Sequence, residues 1–255
     1  MRYVIESNQP QPTFELSHAS RSFGAFPALE DINFCVEPGE RIALVGSSGA
    51  GKSTLIRLLN GTLFPTSGEV RVLGQDLARL NPRKLRRVQG QVGTIYQQFH
   101  LVDNLRVVHN VNAGNLADWS FAKSLVSLVW PMDIGTAQTA LEQVGIPEKL
   151  YERTDRLSGG QQQRVAIARV LVHDQKAILA DVPISSLDPQ ISREIMDLLL
   201  DLSRRSGKTL LSSLHAIDFA LSHYERIIGL KAGRMLFDTR ADLVTPHMIS
   251  ALYQA

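Results

Sequence analysis

The sequence has 255 residues and a single cysteine, Cys35, so it can form neither an internal disulfide nor a cysteine-based metal site. It lacks the run of about 20 apolar residues that a membrane-spanning helix needs. Its first residues lack the apolar stretch of a signal peptide, because Glu6 and Asn8 interrupt it. Neither sign of charge is in clear excess: 27 Lys and Arg stand against 25 Asp and Glu, which argues against nucleic acid as the main partner. Together these absences predict a soluble intracellular protein.

The composition is that of an ordinary globular chain. Hydrophobic residues make up 44% and charged residues 20%, which excludes the disordered and fibrous classes. The length allows a substantial buried core without disulfide or metal staples. Residues 1–12 are polar and contain Pro10 and Pro12, so we expect a loose N-terminal tail followed by a globular domain over residues 13–255.

The hydrophobic pattern changes twice along the chain. Strand-like runs dominate from residue 13 to about 73, where Ile32, Phe34 and Val36 alternate with polar neighbours. Residues from about 98 to 160 have a helical pattern and few strand signals. The order predicted after them is helix (161–172), strand (177–180), helix (189–203) and strand (209–212). This alternation favours a mainly parallel sheet covered by helices.

The helix that begins at Pro189 has a clear amphipathic pattern. Asp188 is a suitable N-cap, and proline is favoured at the first helical position. The apolar stripe of this helix consists of Ile191, Ile195, Leu198, Leu199 and Leu202. We therefore expect that face to pack against the core.

A phosphate-binding loop is the clearest motif. Residues 46–53 fit the pattern G-x-x-x-x-G-K-[ST]. They follow a strand candidate at 41–45 and lead into a helix predicted over 52–60, with Gly61 as its C-terminal cap. Its glycines let backbone N–H groups approach phosphates, Lys52 supplies a positive charge, and Ser53 offers a hydroxyl to Mg²⁺. The predicted nucleotide contacts are Gly46, Ser47, Ser48, Gly49, Ala50, Gly51, Lys52, Ser53 and Thr54.

An apolar strand ends in Asp181. An aspartate in that place is often only a turn former. In a chain with a phosphate loop, it is also the carboxylate expected to hold Mg²⁺. The loop and the strand together predict Asp181 as a metal-binding residue.

Residues 157–169, Leu-Ser-Gly-Gly-Gln followed by Gln-Gln-Arg-Val-Ala-Ile-Ala-Arg, resemble the signature of the ATP-binding-cassette ATPases. The resemblance extends over nearly the whole chain, with the motifs in the family's order. It implies an α/β fold: a P-loop NTPase (RecA-like) core with an N-terminal antiparallel β subdomain and an inserted α-helical subdomain. The implied boundaries are a core at about 13–97 and 161–240, a helical subdomain at about 98–160, and a C-terminal helix at about 245–254.

The resemblance also implies roles for residues that would be unremarkable alone. Phe23 stands where the family stacks an aromatic ring on adenine. Gln97 matches the glutamine that links Mg²⁺ and the attacking water to the transmembrane partner, and His215 matches the switch histidine. The implied catalytic residues are thus Gln97, His215 and Lys52, and the implied metal-binding residues are Ser53, Gln97 and Asp181. Ser158, Gly159, Gly160 and Gln161 would complete the ATP site of a second chain, with Asp188 in the loop that crosses the dimer interface.

One position departs from the family pattern. The family has Asp-Glu-Pro where this chain has Asp181-Val182-Pro183, and the glutamate polarises the attacking water. Valine cannot accept a proton, and loss of a positioned base costs roughly 10²- to 10⁴-fold in rate. ATP binding should survive while hydrolysis slows. A more active partner subunit or a change introduced into the sequence would each account for the valine.

Within the family, residues 96–106, 108–114, 119–130 and 226–233 resemble the phosphonate-importer ATPases. That resemblance implies uptake of phosphonate, or of a related oxyanion such as phosphate or phosphite. It also implies a cytoplasmic-face location on the inner membrane, with a second ATP-binding subunit, expected to be identical, two transmembrane permease subunits and an external solute-binding protein. A rival interpretation is an ATP-gated dimerising module that barely hydrolyses. Another is a soluble cassette ATPase acting on DNA or ribosomes, but no long coiled-coil insertion or second cassette is present.

Overall fold

The chain folds around two sheets, described here from a computed structural model for residues 11–96, 98–116, 119–127, 130–181 and 189–254. The strands are β1 (Phe14–Phe23), β2 (Phe26–Val36), β3 (Arg41–Val45), β4 (Ser67–Val72), β5 (Gln75–Asp76), β6 (Val92–Ile95), β7 (Ala177–Asp181), β8 (Thr209–Leu214), β9 (Arg226–Lys231) and β10 (Arg234–Arg240). The α-helices are α1 (Lys52–Leu59), α2 (Pro82–Gly90), α3 (Val107–Asn112), α4 (Phe121–Ser127), α5 (Ile134–Gln143), α6 (Gly159–Leu171), α7 (Pro189–Ser206), α8 (Ile217–His223) and α9 (Pro246–Tyr253). No helix within these ranges is long and apolar enough to cross a membrane. Most of the predicted N-terminal tail lies outside the described residues.

The larger sheet positions the functional residues. Its strand order is β10-β9-β3-β8-β7-β6, and all neighbours are parallel except the edge pair β10 and β9. Val45 pairs with Leu214 and Asp181 pairs with Ser213, so the carboxyl ends of β3, β8 and β7 lie side by side. The predicted parallel sheet is confirmed. Ligands of open α/β sheets bind at this edge.

Two hydrophobic clusters cover the two faces of the larger sheet. Alternate residues of β3 show the division: Ile42 and Leu44 belong to one cluster, Ala43 and Val45 to the other. The first cluster also contains α1 and the antiparallel sheet, whose order is β2-β1-β4-β5. The second contains apolar residues of α3, α5, α6 and α7. A sheet buried on both faces requires continuous apolar strands, as β3 and β7 have.

The local predictions agree with the structure to within a few residues. Ile32, Phe34 and Val36 are buried, as expected for one face of β2. Helix α1 ends at Leu59, and Gly61 follows its C-cap with φ of +69°, the left-handed conformation that a glycine cap supplies. Helix α6 begins two residues before the predicted start, because the capping box formed by Ser158 and Gln161 starts the helix at Gly159.

The buried face of α7 differs from the predicted stripe. Ile195 and Leu199 are fully buried as expected, but Met196 and Leu200, absent from the prediction, are buried as well. The predicted Ile191, Leu198 and Leu202 are only partly buried at the margin of the cluster. The helix packs on the sheet with a wider face than a single stripe, centred about 130° away from Leu198. The predicted N-cap, Asp188, lies outside the described residues.

Candidate nucleotide-binding site

The phosphate loop connects the end of β3 to the start of α1 with its backbone pressed against other strands. A Cβ at Gly46, whose φ is +154°, would lie 2.2 Å from the carbonyl oxygen of Leu230. A Cβ at Gly51, whose φ is +104°, would lie 2.8 Å from the carbonyl oxygen of Ala28. Only glycine fits at these two positions, so the tight path of the loop accounts for its composition.

Lys52 is held by its own loop. Its Nζ donates hydrogen bonds to the carbonyl oxygens of Gly46 at 2.7 Å and Ser47 at 3.0 Å, and the side chain is only 6% exposed. Burial lowers the pKa of the Lys52 ammonium, and the nearby carboxylate of Asp181 opposes that shift. The result is a fixed, partly desolvated cation beside the loop.

A cavity of about 320 Å³ opens where the loop meets the carboxyl ends of β7 and β8. It brings together most of the residues that the sequence predicts to contact nucleotide and metal. Its lining residues are Phe26, Ala28, Ser48, Gly49, Ala50, Gly51, Lys52, Ser53, Thr54, Asp181, Ser213 and His215. Three of them, Phe26, Ala28 and Ser213, were not predicted. Ser213 could have been found, since it lies near the carboxyl end of β8, two residues before His215.

His215 lines this cavity together with Lys52 and Asp181. Burial lowers the pKa of the His215 imidazole, the positive charge of Lys52 lowers it further, and Asp181 acts in the opposite direction. With a pKa below its ordinary 6.5, the ring is neutral at pH 7. A neutral imidazole can donate one hydrogen bond and accept another, which suits a residue that contacts a phosphate or a water molecule.

The oxygen donors on the cavity wall fit a magnesium ion. The Ser53 hydroxyl and the Asp181 carboxylate both line it, and hard oxygens are the ligands that Mg²⁺ prefers. Across the described ranges no group of three His, Cys, Asp or Glu side chains could hold a metal by itself. Mg²⁺ usually keeps water and substrate phosphate oxygens among its ligands, so one or two protein oxygens are enough to hold it beside a phosphate. The third predicted ligand, Gln97, lies outside the described residues.

The predicted adenine platform is not on the cavity wall. Phe23 and Phe26 face each other across the β1–β2 hairpin, and only Phe26 lines the cavity. Phe26 is 65% exposed. The guanidinium carbon of Arg21 lies 4.7 Å from the centroid of the Phe23 ring, a cation–π contact. The hairpin thus offers two aromatic rings. Phe26, which the family resemblance does not single out, is the one that lines the cavity with the phosphate loop.

The signature residues form the N-terminus of α6. Ser158 accepts a hydrogen bond from the Gln161 backbone N–H at 3.3 Å, and the Gln161 side chain accepts one from the Ser158 backbone N–H at 3.0 Å. Ser158 and Gly159 are exposed, Gly160 is partly so, and none of the four signature residues belongs to the lining of the nucleotide cavity. An exposed helix N-terminus presents N–H groups and positive dipole charge to an anion. Val182 and Asp188 lie outside the described residues.

The fold and the cavity together define a P-loop nucleotide-binding protein, because the loop, the strand-end carboxylate and the histidine converge at one edge of a mainly parallel sheet. A profile of the ABC transporter family matches residues 29–185. The chain belongs to that family.

The curated relatives include several ATP-binding proteins of phosphonate import. The protein named "Phosphonates import ATP-binding protein PhnC 1" of Pseudomonas aeruginosa is 45% identical over 226 residues, which are 89% of this chain and 85% of that protein. The protein named "Phosphonates import ATP-binding protein PhnC" of Anaeromyxobacter dehalogenans is 43% identical over 96% of this chain. This chain spans about half the length of the latter, 49%.

Solved structures of ABC cassettes have the same fold. A dimeric structure of MJ0796, described as a bacterial ABC transporter cassette, matches with a TM-score of 0.77 and 29% identity, over 89% of this chain and 98% of that one. The cassette cbiO1 of Clostridium perfringens, part of the transporter complex cbiONQ, matches with a TM-score of 0.78 and 26% identity, over 91% of this chain and 90% of that one. These likenesses confirm the predicted α/β P-loop fold.

Proposed function

We propose that this chain is the ATP-binding subunit of an ABC importer and couples ATP binding and hydrolysis to uptake of phosphonate, or of a related small oxyanion. The observation that carries the proposal is the cavity in which Lys52, Asp181 and His215 meet at the end of the phosphate loop. The names of relatives 40–45% identical over most of the chain support phosphonate as the solute class. Phosphate and phosphite stay as alternatives, because an ATP-binding subunit would not contact the transported solute itself.

Different residues of the cavity would bind the phosphates, the Mg²⁺ ion and the adenine ring. Backbone N–H groups of the loop and the Lys52 ammonium would hold the β- and γ-phosphates. Ser53 and Asp181, joined by Gln97, would hold Mg²⁺, which supplies charge neutralisation when it is bound. Neutral His215 would contact the γ-phosphate or orient a water molecule toward it. Phe23, Phe26 or both would support the adenine ring.

A second copy of the chain would complete each ATP site. The exposed N-terminus of α6, with Ser158, Gly159, Gly160 and Gln161, is built to receive an anion but lies off the chain's own nucleotide cavity. Head-to-tail pairing would bring it to the γ-phosphate bound by the partner, with Asp188 in the crossing loop. The dimeric state of the MJ0796 cassette supports this arrangement.

The wider assembly follows from the family. We propose a peripheral position on the cytoplasmic face of the inner membrane, against two permease subunits that are supplied by an external solute-binding protein. Core residues at about 13–97 and 161–240 would bind ATP. The helical subdomain at about 98–160 would transmit its closure to the permease, and the C-terminal helix at about 245–254 would pack on the core.

Val182 favours a second candidate function. Without a glutamate at this position the chain would bind ATP and dimerise but hydrolyse slowly, and so act as an ATP-gated module beside a more active partner. The two candidate functions use the same nucleotide cavity and differ in the rate of ATP hydrolysis.

Reconstituted transport tests the proposed function. The chain, the permease and the binding protein would be assembled in vesicles, and uptake of a labelled phosphonate would be followed with internal ATP. We expect uptake that is competed by phosphonate but not by sulfate and is lost in Lys52→Ala. Uptake that is indifferent to ATP, or to Lys52→Ala, would refute the coupling role.

A further inference from the structure

Helix α2 carries a concentration of positive charge that the nucleotide site does not use. It contains Arg83, Lys84, Arg86 and Arg87 and no acidic residue. The chain between Asp76 and Asp103 has five Lys and Arg residues and no Asp or Glu at all. The whole protein is nearly neutral, with a net charge of +2, so this charge is a local feature.

Three of these cations form one stripe on the outer side of α2. Leu85 and Val88 pack into the core cluster that contains α1. At about 100° per residue, Arg83, Arg86 and Arg87 lie on the opposite side of the helix, and all three are exposed. We name these three residues the basic stripe.

The basic stripe has no counter-charge of its own. Among the described residues no carboxylate forms an ion pair with any of the three arginines. Like charges three and four positions apart repel one another on a helix. A solvated face usually intersperses both signs. A one-signed stripe instead fits an anionic partner.

The positive charge continues into a second cavity. Arg86 lines a cavity of about 680 Å³ together with His100, Arg169 and His173, and its described lining includes no carboxylate. The Arg169 guanidinium donates to the carbonyl oxygens of Phe99 and His100, both at 2.8 Å, so its charge is solvated by carbonyl groups and not neutralised. This cavity shares no lining residue with the nucleotide cavity.

We propose that the basic stripe of α2 contacts anionic lipid headgroups and holds this face of the cassette against the membrane. The inference rests on the proposed function, which places the chain at a membrane surface. Arginine forks bind phosphate oxygens in pairs, and a row of them on a convex helix matches a plane of lipid phosphates. A protein segment would be expected in a groove, and of the three stripe residues Arg86 alone is among those lining the cavity of about 680 Å³. The stripe would orient the cassette beside its permease.

Vesicle binding of the full-length chain tests the proposal. Wild type would be sedimented with vesicles of phosphatidylcholine and with vesicles of equal parts phosphatidylcholine and phosphatidylglycerol. We expect binding to the anionic vesicles alone, weakening as salt rises because the charges are exposed. The triple variant Arg83→Gln, Arg86→Gln, Arg87→Gln should bind about 100-fold more weakly, the loss expected for three cations near an anionic leaflet.

A charge-matched control separates the stripe from net charge. Arg193→Gln, Arg204→Gln, Arg240→Gln removes the same charge from exposed positions outside α2 and should bind the vesicles nearly as wild type does. Equal losses in both variants, or wild-type binding by the stripe variant, would overturn the proposal. So would a stripe variant that binds vesicles normally but no longer co-purifies with the permease, since the partner would then be protein. ATP affinity, measured on the same samples, should be unchanged in both variants. A wild type that binds no ATP would refute the proposed function separately.

Discussion

The ammonium nitrogen of Lys52 lies 2.7 Å from the carbonyl oxygen of Gly46, so the cation of the phosphate loop is held by the first residue of that loop. A side chain fixed in this way loses little further rotamer freedom when phosphate binds. The second bond, to the carbonyl oxygen of Ser47, fixes the direction of the ammonium group. The site is therefore preorganised toward phosphate.

Removal of this cation should abolish tight nucleotide binding. A hydrogen bond to a charged group contributes about 1.5–3 kcal/mol, so Lys52→Ala should weaken ATP binding by roughly 10- to 100-fold. Titration with a fluorescent ATP analogue measures the affinity. Lys208→Ala is the matched control, because that lysine pairs with Asp174 and lines no part of the nucleotide cavity. Equal affinities for Lys52→Ala and the control would contradict the assignment.

Two glycines of the loop should respond differently to the same substitution. Gly49 has φ of +80° and open space around a Cβ, so Gly49→Ala should cost only the strain of a left-handed residue, about 1–2 kcal/mol. Gly46→Ala adds a clash with the carbonyl oxygen of Leu230 and should cost roughly 3 kcal/mol or more. Urea unfolding of the two variants compares them. A Gly46 variant as stable as the Gly49 variant would show that the Leu230 carbonyl oxygen does not exclude a side chain at position 46.

Alanine substitution of the two hairpin aromatics, Phe23 and Phe26, should reduce the affinity for ATP by different amounts. Stacking of a base on an aromatic ring contributes about 1–3 kcal/mol, and Phe26 lines the cavity, so Phe26→Ala should weaken ATP binding by about tenfold. Phe23→Ala should have the smaller effect, because its ring is engaged by Arg21. The same titration measures both. A larger loss of ATP affinity in Phe23→Ala would show that adenine stacks on Phe23, as the family resemblance implies.

His215 should make stability depend on pH. Its pKa in the folded chain is lowered from 6.5 by burial and by Lys52, so the unfolded chain takes up the proton at a higher pH than the folded chain. The stability that this group contributes is complete above about pH 6.5 and is lost as the pH falls toward the folded pKa. His215→Gln should therefore lose less stability than wild type between about pH 7 and pH 5, measured by urea unfolding. Parallel pH profiles would contradict the assignment.

The sequence predicted the elements of the site better than their exact surroundings. The phosphate loop, Asp181 and His215 could be found because each sits where an apolar strand ends, and parallel strand order then brings those ends together. Phe26 could not be found, because a hairpin register decides which of two nearby aromatics faces the loop. Met196 and Leu200 were missed because the width of the buried face of α7 depends on what packs against it. Tertiary packing, which no local pattern encodes, accounts for these differences.

Val182 stands where the family has its catalytic glutamate, and the rate of hydrolysis is the property that this substitution should change. Positioning by the loop and charge stabilisation by Lys52 contribute to phosphoryl transfer without a base. A positioned base adds roughly 10²- to 10⁴-fold. The natural chain should therefore bind Mg-ATP well and turn it over slowly.

Mg-ATP turnover by the purified chain, by Val182→Glu and by Lys52→Ala tests this account most directly. We expect Val182→Glu to be at least roughly 100-fold faster than wild type, and Lys52→Ala to give the background rate. That result would identify an ATP-binding cassette whose hydrolysis is limited by one missing carboxylate. Equal turnover by wild type and Val182→Glu, well above the Lys52→Ala background, would contradict it, because catalysis would then proceed without a glutamate at this position.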